Sequence, residues 1–171
     1  MRTALQAALA ALLLLPLSAC HTTRDFPTPG AHWKNAQGQL QYTTPKRSVI
    51  GETVLSGNGL QDFQLDYLAG PGVPLMRLQE SGNSARMEGV FAGGSWQGDP
   101  VHIRGRLASW AALREVFAAV HEQGAAPSAT LHSAPGAQAP WTAQLSQTAA
   151  TQRVRVEFPR TKERFTFVLA K

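Results

Sequence analysis

Cys20 is the only cysteine in the 171-residue chain, and it follows Leu17-Ser18-Ala19. A leucine, two small residues and a thiol are what lipoprotein-processing enzymes read. The Cys20 thiol would form a thioether with a diacylglyceryl group, and the chain would then be cut before it. Small side chains at 18 and 19 let the backbone enter a narrow protease site. Upstream, Arg2 supplies a positive n-region, and Ala4–Leu17 is apolar apart from Gln6. That run is shorter than the roughly 20 apolar residues that span a bilayer and has the length of a signal-peptide core. With no second cysteine there is no internal disulfide. A free thiol would be a liability in an oxidising compartment, and acylation by diacylglyceryl and palmitate-type chains accounts for it.

Other reactive side chains do not assemble into a pattern. His21, His32, His102, His121 and His132 include no pair at the three- or four-residue spacing of a helical metal site, and no cysteine partners them. Ser56 and Ser95 stand beside glycines, but neither lies in the Gly-x-Ser-x-Gly elbow that presents a nucleophile. Asp62, Asp66, Glu80 and Glu88 fall on strand-like runs, where a solvated face is the default. Gly70–Gly72 lacks the lysine and following helix of a phosphate loop. The expectation is therefore no catalytic residues, no metal, no cofactor and no enzyme.

The elements that carry these residues are mostly strands. Residues 1–19 are expected as a lipoprotein signal peptide, 20–35 as a lipidated, Pro-containing tether, and 36–171 as one β-rich domain. Within the domain Phe63, Leu65 and Tyr67 alternate with Asp62, Gln64 and Asp66. That period of two buries one set and leaves the other in water. Gln39–Thr43, Ser48–Leu55, Pro74–Glu80, Ala85–Phe91, Trp141–Gln147, Arg153–Phe158 and Glu163–Leu169 are further strand-length runs. The short Gly/Pro links within residues 39–91 imply antiparallel hairpins. Ala108–Gln123 predicts the one main helix, with Ser109 as its N-cap and Gly124 as its stop. Trp110, Leu113, Phe117 and Val120 recur along one face of it. Gly124–Pro140 reads as a loop. The fold expected is a curved antiparallel sheet, or incomplete β-barrel, of eight or nine strands with that helix packed across it.

A curved sheet with an apolar inner face can enclose a cavity. The lining expected for one is Leu40, Tyr42, Val54, Phe63, Leu65, Met76, Leu78, Met87, Phe91, Phe165 and Phe167, roofed by Trp110, Leu113 and Phe117. The same residues would equally make a dry core.

Several stretches resemble the LolA/LolB family of lipoprotein carriers. They are Gln37–Tyr42, Asp62–Leu68 and Gly72–Leu78, together with the loop in Leu68-Ala-Gly-Pro-Gly-Val-Pro-Leu75. Trp141 opening a late strand and the paired terminal strands Arg153–Leu169 fit the same layout. The resemblance implies an incomplete barrel with a helical lid over an apolar cavity. It also implies a LolB-like role: receiving lipoproteins, by their acyl chains, from a periplasmic carrier and placing them in the outer membrane. The family carries an exposed apolar residue on the loop corresponding to Gly70–Pro74. There the family has a leucine between proline and glycine, whereas here Pro71 and Gly72 are adjacent and Val73 is the apolar residue on offer. The family also has more helical lid than this chain.

Without Met1–Ala19, 171 less 19 residues leaves 152, with 15 Lys+Arg (16 less Arg2) against 11 Asp+Glu, a net charge of +4. An exported, mildly basic domain excludes nucleic acid as the expected partner. His21, rather than aspartate, follows Cys20 and favours the outer membrane, with the domain facing the periplasm. The expected protein is a monomeric, lipid-anchored binder of acyl chains. The alternative is a non-enzymatic accessory subunit of an envelope complex.

Overall fold

The computed structural model describes residues 26–171, apart from residues 60, 71 and 125. Cys20 and the expected signal segment lie outside the described residues. Strands alternate in direction through the chain. They are β1 (Lys34–Thr43), β2 (Ser48–Gly57), β3 (Asp62–Ala69), β4 (Val73–Ser81), β5 (Ser84–Gly89), β6 (Gly94–Gly98), β7 (Ser128–His132), β8 (Thr142–Gln147), β9 (Thr151–Phe158) and β10 (Glu163–Ala170). All ten join one antiparallel sheet in the order β6-β5-β4-β3-β2-β1-β10-β9-β8-β7. The sheet does not close, because β6 and β7 end the order unpaired with each other.

Only the β1–β10 pairing is non-local, and it joins the two hairpin runs. It sets Leu40 opposite Phe167 and Tyr42 opposite Phe165. Paired residues in an antiparallel ladder point to the same face. This register therefore aligns the apolar phase of both halves: Leu40 and Tyr42, Phe63 to Tyr67, Met76 and Leu78, Val154 to Phe158, Phe165 to Leu169. These residues form one buried cluster with the helix, so the sheet wraps around it.

The helix occupies the chain between β6 and β7. It consists of α1 (Arg106–Ala111) and α2 (Leu113–Glu122), joined at Ala112, which keeps helical angles of φ −67° and ψ −12°. It starts before Ser109. Gly105 is the N-cap and makes no side-chain capping bond. Ser109 is instead fully buried inside α1, its hydroxyl 3.1 Å from Thr161 Oγ1. The stop expected at Gly124 is present, with φ +60°.

Two strands lie where the sequence reads as turn or loop. β6 pairs Trp96 with Met87 and extends the sheet across a glycine-rich segment. β7 lies inside the stretch expected to be loop and pairs Leu131 with Ala143. Both are edge strands of five residues. Their glycine, serine and alanine content hides the alternation that longer strands display.

Candidate functional site

Beneath α1 the inner face is filled. Trp110 packs its ring 5.0 Å from Tyr42 and 4.8 Å from Phe165, edge-on to the latter. Phe91 closes the group at 5.1 Å from Tyr42 and 5.9 Å from Tyr67. A bulge places it there. The β3–β4 register shifts at Tyr67/Leu68, leaving Leu75 as the extra residue on β4. The Leu75 carbonyl is then free to accept from Phe91 N–H at 3.0 Å, which tucks the β5–β6 turn inward. Of the cavity lining expected from sequence, Leu40, Tyr42, Leu65, Met76, Leu78, Met87, Trp110, Leu113, Phe165 and Phe167 are buried side chains of this packed core. Val54 belongs on neither surface of a cavity. It pairs with Gln37 and Asp66 on the outer face of β2, while Thr53 and Leu55 point inward. Two residues after Leu55, Gly57 ends the strand in the same phase, so a reading of Val54 as inner is one residue out of phase.

Space opens instead at the other end of the helix. A cleft of about 660 Å³ lies between α2 and the ends of β1, β2 and β10, within the range of small-molecule pockets, roughly 300–1,000 Å³. Leu55, Phe63, Phe117, Val120 and Leu169 make its apolar surface. Phe117 is held by Phe63, stacked at 6.0 Å, and by Phe167, edge-on at 4.9 Å. The room comes from small residues, Ala36, Ala118, Gly57 and Gly124, where larger side chains would fill the gap. Phe63 and Phe117 are thus the two expected lining residues that reach an open cleft. Val73 is 53% exposed and starts β4, at the opposite end of the sheet from the Lys34 end of β1.

The rim is basic. His32, Lys34, Arg114, His121 and Lys171 line it, and none of the lining side chains among the described residues is a carboxylate. Lys34 Nζ lies 2.6 Å from His121 Nε2, two groups 87 positions apart in the chain. Arg114 is committed elsewhere, with Nε 3.0 Å from Glu80 Oε2 and Nη1 donating to the Gly82 carbonyl at 3.0 Å. Glu80 is 2% exposed. Burial pushes its carboxyl up to about 8, against the pull of Arg114 and with a further push from Glu115.

Glu80 departs from the solvated position expected of it, and Glu163 is a second buried strand carboxylate. Glu80 continues the inward phase of Met76 and Leu78, and Glu163 that of Phe165 and Phe167. Glu163 accepts a hydrogen bond from the Tyr42 hydroxyl. Burial, then Glu163, raises the Tyr42 phenol above its ordinary value. The phase of alternation marks both acids as inner, and was the signal available for them. By contrast Asp66 faces out and pairs with Arg77 at 2.6 Å, Asp62 accepts from Asn58 at 2.5 Å, and Glu88 pairs with Arg86.

Among the described residues no group of three or more His, Cys, Asp or Glu is placed to hold a metal ion. His32 and His121 line the cleft, His102 faces Asp99, and His132 lies 3.4 Å from Thr142 Oγ1. Ser56 lines the cleft and Ser95 lies on β6. No helix among the described residues is long and apolar enough to cross a membrane. No protein-family model matches the chain, and no curated protein matches it either.

Proposed function

We propose that this protein is a lipid-anchored envelope protein that holds an acyl chain in the cleft beside α2. One observation carries the reading: an apolar-floored cleft of about 660 Å³ stays open in a domain whose remaining inner face is packed. Its floor is continuous with the core, so an alkyl chain entering it would rest on Phe63, Phe117 and Leu169. Each buried methylene contributes about 0.8 kcal/mol.

The anchor in this reading is the lipid on Cys20, with the outer membrane as destination and the domain in the periplasm. His32, which lines the cleft, stands just before β1, so the cleft opens where the chain enters the domain from its expected tether. Acyl-chain binding there suits a non-enzymatic role in lipoprotein localisation, in which the chains held belong to a lipoprotein passed on by a periplasmic carrier. Val73, exposed at the far end, would be the contact with membrane or cargo.

The test is to expose the intact chain, in isolated envelopes, to a diazirine-bearing fatty acid. After irradiation the modified peptides are mapped. Modification concentrated on the segments holding Phe63 and Phe117 is expected. Modification scattered over the surface, or absent, would contradict the reading.

A further inference from the structure

Lys34 and His121 place two basic nitrogens within hydrogen-bond distance, in a cleft whose lining side chains include no carboxylate. With Nε2 of His121 accepting, its proton sits on Nδ1, and the Lys34 ammonium spends one of its three donors on the pair. The other two make no hydrogen bond or ion pair to a carboxylate among the described residues. The nearby charges do not neutralise this corner. Arg114 has its donors on the Glu80 carboxyl and the Gly82 carbonyl. Asp62 is turned to Asn58. The C-terminus of α2 contributes about half a negative elementary charge, and the Gly124 carbonyl there is already satisfied by Gln147 Nε2 at 3.0 Å. Against that half charge stands the full cation of Lys34.

We infer that the cleft selects a single-chain amphiphile with an anionic head: the tail on Phe63 and Phe117, the negative group at Lys34 and His121. This inference rests on the acyl-chain reading above, adds the head group to it, and makes a free lipid rather than a lipoprotein the source of the chain. An anion at Lys34 would supply the counter-charge that the rim lacks. A zwitterionic head would bring a second cation into a region already positive. An ammonium also binds a phosphodiester or carboxylate without demanding the planar fork geometry of arginine. Selection therefore rests on charge.

The experiment uses the full chain in nanodiscs of phosphatidylcholine. Two photoreactive lipids with the same acyl chain are compared, a lysophosphatidylglycerol and a lysophosphatidylcholine. Labelling of the peptide holding Phe117 and His121 is quantified. The anionic probe is expected to label it about fivefold more, as one cation acting on one charge implies. The preference should shrink at about 1 M salt, where screening reaches about 3 Å. In the Lys34→Gln/His121→Gln variant it should disappear while labelling by the zwitterionic probe persists. A thermal melt unchanged from the parent establishes that this variant folds. Equal labelling by both probes, or a preference that survives in the double variant, would overturn the inference and leave acyl-chain binding standing. Failure of both probes to label the cleft would remove the acyl-chain reading as well. Crosslinks from the chain's own N-terminal segment that exclude both probes would overturn the inference too, by giving the cleft a different occupant.

Discussion

Glu80 sits in the phase of Met76 and Leu78 on β4, and its burial has a thermodynamic consequence. Its carboxyl is raised from 4.5 to about 8 in the folded chain. Between those values the folded state binds more protons than the unfolded one. Stability therefore falls as pH rises from about 4.5 and the loss is complete above about 8. The Glu80→Gln variant, neutral at every pH, should lose this slope and be more stable than the parent at about pH 9, by an amount on the order of 5 kcal/mol, and so melt higher there. Melting temperatures recorded across that range decide it, and an unchanged slope in the variant would contradict the account. Glu157 does not confuse the reading. Its exposed carboxyl is lowered by Arg155, then by Arg164, so its contribution is lost only as pH falls below the ordinary carboxylate range. Cys20 carries a separate expectation at this scale. Cys20→Ala should move the protein out of the membrane fraction on envelope fractionation, and continued membrane association would contradict lipid anchoring.

At the scale of elements, the curvature of the sheet depends on glycine at two inner-face positions. A Cβ on Gly38 would overlap the Val168 carbonyl oxygen on β10, and one on Gly51 would overlap the Leu68 carbonyl oxygen on β3, so backbone would have to shift at either site. Glycine lets the neighbouring backbones come closer than any side chain allows. Gly38→Ala should then cost about 2 kcal/mol by overpacking, a fall in melting temperature of about 4–8 °C. A melt within one degree of the parent would contradict this reading of the bend. The long strands were legible because Phe63-Leu65-Tyr67 and Val154-Val156-Phe158 alternate without interruption. β6 and β7 were not, since a five-residue strand such as Gly94–Gly98 offers almost no pattern to read. The phase of β2 is ambiguous in the sequence at Val54. Val54 and Leu55 are both apolar, and only the β1 register shows which of them faces in.

At the scale of the whole molecule, the apolar part of the cleft was partly legible and its basic rim was not. Phe63 and Phe117 stand out as aromatics on an inner strand face and a helix stripe. Lys34, His121 and Lys171 come from the first strand, the end of the helix and the residue after the last strand, so no window of sequence holds them together. Nor does the sequence show that aromatic packing beneath α1 would consume most of the expected cavity and leave the open volume at the end of α2. The difference follows from volume: Trp110, Tyr42, Tyr67, Phe91 and Phe165 gather under α1, whereas α2 presents Ala118 to the cleft. The central claim, that an acyl chain occupies that volume, is tested most directly by mapping where a diazirine-bearing fatty acid attaches to the intact protein. The account predicts attachment to the segments of Phe63 and Phe117, abolished in a folded Phe117→Asp variant. Attachment elsewhere, or undiminished attachment in that variant, would contradict it.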